Sequence, residues 1–112
     1  MLKKVVLRGK HVFNDIYRSG KATGDRYVVV FHKKNCLPYN GTAFLASKKV
    51  GNSVTRNRAT RLMKESYRQF KDSFKDGYDI IFIARNTICD KKCIDVLKSM
   101  KSAAKRSGIL KK

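Results

Sequence analysis

Residues 47–68, SKKVGNSVTRNRATRLMKESYR, constrain this chain more than any other stretch. They carry seven basic residues (Lys48, Lys49, Arg56, Arg58, Arg61, Lys64, Arg68) and a single acid, Glu65. Gly51-Asn52-Ser53 breaks the chain, and Asn52 or Ser53 can cap a helix that runs to about Phe70. On a wheel of about 100° per residue, Ala59, Leu62, Met63, Ser66, Tyr67 and Phe70 fall within about 140° of one another. Asn57, Arg58, Arg61, Lys64 and Arg68 fill a band of about 120° on the opposite side. A solvated helix normally interleaves Glu with Lys, and one this dense in like charge repels itself. One face therefore needs a core and the other an anionic surface, for which the closely spaced phosphates of RNA or DNA are the natural candidate. Asn57, between two arginines, can hydrogen-bond RNA or orient its neighbours.

The rest of the composition agrees. At 112 residues the chain has the length of one domain, and its 42% hydrophobic content belongs to a folded protein rather than a disordered tail. The net charge of +19 predicts salt-sensitive binding to polyanions. No apolar run approaches the roughly 18 residues of a membrane span, and MLKKVVLRGKH lacks the apolar block of a secretion signal. A cytoplasmic protein without membrane contact is expected.

Cys36, Cys89 and Cys93 are odd in number and are expected to be reduced thiols behaving as small buried hydrophobes. Cys89 and Cys93 stand four apart, but His11 and His32 are distant in sequence, so no metal site is expected. The eight acids are scattered and the two histidines fall in different elements, which leaves no catalytic carboxylate pair or His pair. No side chain of this protein is expected to be catalytic.

Along the chain, Val12, Phe13, Ile16 and Tyr17 share a helical face within Gly9–Ser19, closed by Gly20. Arg26–His32 is β-branched and aromatic, hence a strand. Thr42–Ser47 is expected to be its hairpin partner, with Asn40-Gly41 as the turn signal. Tyr78–Ala84, almost continuously apolar, predicts a central strand. Asp90 is expected to cap a last helix to about Arg106, with Cys93, Leu97, Met100 and Ala104 on one stripe. The order αββαβα, with an extra short strand at Lys4–Leu7, predicts a single α+β sandwich domain over residues 1–112, a mostly antiparallel sheet packed by helices.

Ser47-Lys48-Lys49-Val50-Gly51-Asn52, then Val54, Arg56-Asn57-Arg58, Arg61-Leu62 and Lys64-Glu65, resembles the signature of the bacterial ribonuclease P protein subunit, with Arg56-Asn57-Arg58 as the family's RNR motif. The likeness extends over essentially the whole chain. Leu7–Lys21 is similar to the family's first helix and exit, and Gly77-Tyr78-Asp79-Ile80-Ile81 with Ala84-Arg85 to the strand after the motif helix. Thr60 stands where the family often has Lys, Tyr17 where Phe is common, and Val30 where a strand aromatic sometimes sits.

The resemblance implies an α/β sandwich with a left-handed crossover through the motif helix. It implies an endoribonuclease in which a large RNA subunit with bound magnesium removes the 5′ leader of precursor tRNA and the protein assists. Lys48, Lys49, Arg56, Asn57, Arg58, Arg61, Lys64 and Arg68 would bind the RNA subunit. Lys10, Phe13 and Tyr17, with Tyr27, Val29 and Phe31 from the adjacent strand, would line a cleft for the single-stranded leader, held by aromatic stacking and cations. The partners implied are ribonuclease P RNA and precursor tRNA, with no obligate protein partner. A structural RNA-binding protein, such as a small ribosomal component, shares the size and charge but has no need of such a cleft. A helix-turn-helix DNA binder fits less well, because no helix closely precedes the basic one.

Overall fold

The computed structural model describes residues 5–6 and 16–111. Its elements are β1 (Val5–Val6), the helical residues 16–19 (α1), β2 (Lys21–Gly24), β3 (Val28–Lys34), β4 (Gly41–Ala46), α2 (Ser53–Phe70), β5 (Tyr78–Ala84) and α3 (Cys93–Ser107). The strands form one sheet in the order β1-β4-β5-β3-β2.

The apolar run of Tyr78–Ala84 takes the central position, where residues pointing to either face can be buried; Ile80, Ile81 and Phe82 are all inaccessible. Its place there overturns the expected β3–β4 hairpin. The 18-residue α2 carries the chain from β4 across to β5, so the two run parallel, Ala43 opposite Ile81 and Leu45 opposite Ile83. β3 pairs antiparallel with β5 on the other side. The true hairpin partner of β3 is β2, a strand the sequence pattern does not announce: KATG is short, mostly exposed and weakly apolar. The sheet is accordingly antiparallel across β2-β3-β5, as expected, and parallel across β5-β4-β1.

Asn40-Gly41 is not a hairpin turn. The Asn40 amide donates to Lys75 O at 2.9 Å and its oxygen accepts the Tyr78 N–H at 2.8 Å, fastening the β3–β4 loop to the start of β5. Gly20 is required by close approach: a Cβ there would lie 2.5 Å from Ile16 O and 2.6 Å from His32 O.

Two faces result. On one, Val28, Val30, Ile80 and Phe82 pack under α2 (Ala59, Met63, Tyr67, Phe70) and α3 (Val96, Met100, Ala103, Ala104), with Phe74 and Ile109 closing one end. Phe44 stacks on Phe82 at 5.2 Å, and burial with the nearby Asp72 charge pushes the Tyr67 phenol up to about 12. On the other face Ile16, Ala43 and Ile81 are buried while Phe31, Leu45 and Ile83 are only partly covered.

The expected α2 core face is confirmed, with Leu62 at its half-buried margin. The α3 stripe is rotated slightly: Met100 and Ala104 are buried as expected, Cys93 and Leu97 are half-covered, and Val96, Ser99 and Ala103 complete the contact. Asp90 does not cap this helix. It occupies a turn with φ 65°, and Asp95 caps instead, its carboxylate accepting the Lys92 N–H at 3.1 Å.

Candidate nucleic-acid interface

Asn52 starts the basic helix. Its side-chain oxygen accepts the Thr55 N–H at 3.0 Å, and Gly51, at φ 151°, brings the chain in where a Cβ would meet Thr55 at 3.0 Å. The preceding turn closes through Val50 N–H to Ser47 O and leaves Lys48 and Lys49 exposed beside the helix start. No acid occupies the first turn of α2, so its positive dipole end adds to the same surface.

Asn57, Arg58, Arg61, Lys64 and Arg68 are all exposed on the side away from the core. Their roles are not equal. Arg58 donates to Lys91 O at 3.1 Å, which pins one side of its guanidinium to the loop before α3 and directs the rest outward. Arg68 pairs with Glu65, the lone acid of the segment. Arg56 is half-buried: it donates to Ser53 Oγ at 3.2 Å, and its buried Nε has no partner among the described residues. Arg61 and Lys64 project freely among the described residues.

The second surface lies across the sheet, on its half-covered face. Tyr17, 40% exposed, meets Phe31 edge-on with ring centroids 5.0 Å apart. Burial raises the Tyr17 phenol above its usual value, so it stays neutral. Val29 shares this face through its register with Ile83, as Phe31 does with Ile81. Tyr27 does not join them. It packs with the helix-side core, and Lys91 Nζ lies 5.4 Å from its ring centroid. The break comes at Asp25–Tyr27, where the chain leaves strand geometry and period-two alternation no longer assigns a face. Lys10 and Phe13 lie outside the described residues.

Asp25 anchors that turn. Its carboxylate accepts from Ser99 Oγ at 2.8 Å and from Arg106 at 2.6 Å. Burial works to raise its pKa, but hydrogen bonds from the Arg26 N–H, Ser99, Ser102 and Arg106 outweigh it and hold the carboxyl below its usual value. No sequence pattern signals this cluster, because its members are about 80 residues apart. Among the described residues no three His, Cys, Asp or Glu side chains group to hold a metal ion, and no helix is long and apolar enough to cross a membrane.

An α+β domain with a cationic helix on one side of its sheet and an open aromatic strip on the other has the build of an RNA-binding protein. Comparison with known proteins narrows the class. The ribonuclease P family model matches residues 1–108. The ribonuclease P protein component of Clostridium botulinum (strain Loch Maree / Type A3) is 42% identical over 109 residues, covering 96% of this chain and 98% of that protein. The Staphylococcus aureus ribonuclease P protein structure superposes with a TM-score of 0.87 at 26% identity, covering 97% of this chain and all of that one. The Thermotoga maritima ribonuclease P protein gives 0.82, also at 26% identity, over 94% and 97%. The chain belongs to the ribonuclease P protein-component family, which sets aside the ribosomal and helix-turn-helix alternatives.

Proposed function

We propose that this protein acts in a cytoplasmic ribonuclease P ribonucleoprotein, binding the catalytic RNA subunit through α2 and the 5′ leader of precursor tRNA through the opposite sheet face. The observation that carries the reading is the outward basic band Arg58, Arg61, Lys64 and Arg68, carried on a capped helix whose opposite face is buried in the core. Lys48, Lys49, Asn57 and the half-buried Arg56 extend it. Arginine suits the task because its planar fork meets phosphate oxygens two at a time.

The Tyr17–Phe31 pair with Val29 offers an apolar, partly open strip on which unpaired bases stack, each worth roughly 1–3 kcal/mol. Because the sheet lies between the two surfaces, both RNAs can be held at once without competing for the same cations.

In this reading hydrolysis belongs to the RNA subunit, whose bound magnesium would supply an activated water and a counter-charge for the leaving oxygen. The protein's own residues bind and orient. Their charge screens repulsion between the leader and the catalytic RNA, which strengthens substrate and magnesium binding together. The test is cleavage of 5′-labelled precursor tRNA at low magnesium by bacterial ribonuclease P RNA, the cognate one included, with and without this protein. Stimulated release of an intact leader at the mature 5′ end is expected. Tight, salt-sensitive RNA binding without stimulation by any RNA subunit would reject the reading.

A further inference from the structure

The helix layer presents a second cationic row that neither the motif helix nor the cleft accounts for. On α3 the residues opposite the buried face are Ile94, Lys98, Lys101 and Lys105, spaced i, i+4, i+7, i+11; Ile94 is 56% exposed and the three lysines are exposed. The lysine row spans about 10 Å.

An ordinary solvated helix face would balance these charges, and this one does not. Asp95 is engaged in the α3 cap, Asp25 is engaged by Arg106, and Glu65 by Arg68. Lys98, Lys101 and Lys105 have no carboxylate partner among the described residues. Lys105 lies in the last turn, where the helix dipole favours a cation, but Lys98 and Lys101 do not, and like charges at these spacings weaken a helix.

The row is also aligned with the arginine band. Arg58 reaches Lys91 O, Ser66 Oγ reaches Cys93 O at 3.4 Å, and Lys101 Nζ sits 5.9 Å from the Phe70 ring centroid. The two helices therefore run side by side in the same direction over one sheet face, with axes about 8–10 Å apart. Both carry their cations on the side away from the sheet.

We infer that Lys98, Lys101 and Lys105 of α3 form a second contact to the ribonuclease P RNA, taking the phosphate backbone alongside the strand segment held by α2. This deepens the proposed function and rests on it. The division of residue types fits the division of work. Arginine forks on α2 set register, whereas lysine ammonium groups are non-directional point charges that add affinity by releasing counterions without reading geometry.

The test compares two triple variants of the full chain with wild type: Lys98→Gln/Lys101→Gln/Lys105→Gln, and a control of equal charge loss, Lys34→Gln/Lys75→Gln/Lys111→Gln, whose lysines are exposed around the Tyr78 end of the sheet. Binding to ribonuclease P RNA is measured from low to high salt, and precursor tRNA binding is measured with the assembled holoenzyme. The α3 variant is expected to lower the slope of log K against log salt by about 2–3, and affinity near physiological salt by tenfold or more on the order of that counterion count. The control should change the slope by about 1 or less.

Equal losses in both variants would reduce the effect to net charge and overturn the inference. So would a wild-type slope in the α3 variant, or a loss confined to precursor tRNA. If wild-type protein does not prefer ribonuclease P RNA to an unrelated RNA of equal length, the proposed function itself fails, a result visible before any variant is made. Should the triple variant melt early, Lys98→Gln and Lys105→Gln singly must each lower the slope by about 1.

Discussion

Two residues show how far charge alone misleads. Arg56 and Arg61 look equivalent in the motif, yet Arg56 is half-buried with an orphaned Nε while Arg61 stands exposed. Arg61→Ala is expected to weaken binding to the RNA subunit and lower the salt slope by about 1, with an unchanged melting temperature. Arg56→Ala should lower both affinity and melting temperature; the comparison needs only thermal melts beside the binding curves. His32 offers a second test. Burial, helped by the Lys21 charge, lowers its pKa, and its Nδ1 is buried without a partner among the described residues. The unfolded chain therefore takes up the proton more readily than the folded one, so the stability at stake is present above the ordinary value near 6.5 and is lost as pH falls below it. Urea midpoints at pH 7.5 and 5.5 should separate more for wild type than for His32→Leu.

At the scale of elements, α2 was the most legible part of the chain and β2 the least. A long helix with one apolar face, a cap and a glycine break announces itself locally: α2 starts at Ser53, directly after its Asn52 cap, and ends at the expected Phe70. Asn52→Ala should cost about 1 kcal/mol in chemical denaturation through the lost cap, and should disturb RNA binding by fraying the turn that carries Lys48 and Lys49. β2 has no such signature. Four mostly exposed residues become a strand because Gly20 lets the chain pass against the backbone of His32 and because the β3 edge is open to them. Gly20→Ala is expected to destabilise the fold by several degrees in a melt and to displace α1, with Tyr17, from Phe31.

For the whole molecule the decisive feature is that the basic band of α2 and the Tyr17–Phe31 strip lie on opposite sides of one sheet. Tyr17→Ala should therefore reduce holoenzyme affinity for precursor tRNA more than for mature tRNA, while binding to the isolated RNA subunit stays at the wild-type level. Equal losses for the two tRNAs would remove the leader from this face. The complementary variant, Arg61→Ala, should weaken assembly without changing the preference for precursor over mature tRNA at saturating protein.

The sequence by itself determined the composition of each surface and the identity of the principal helices, because amphipathic period, caps and charge density act within a few turns of chain. It carried the RNR motif and its basic band entire, and it marked Tyr78–Ala84 as a central strand. Only the tertiary structure decided which strand lies next to which: β4 pairs parallel with β5, buried on both faces, instead of folding back on β3. It also placed Tyr27 with the helix-side core, away from Val29 and Phe31, replaced Asp90 by Asp95 as the α3 cap, and set the α3 lysines alongside the α2 arginines. Each of these depends on contacts between residues far apart in the chain, and periodicity, a local property, does not encode them.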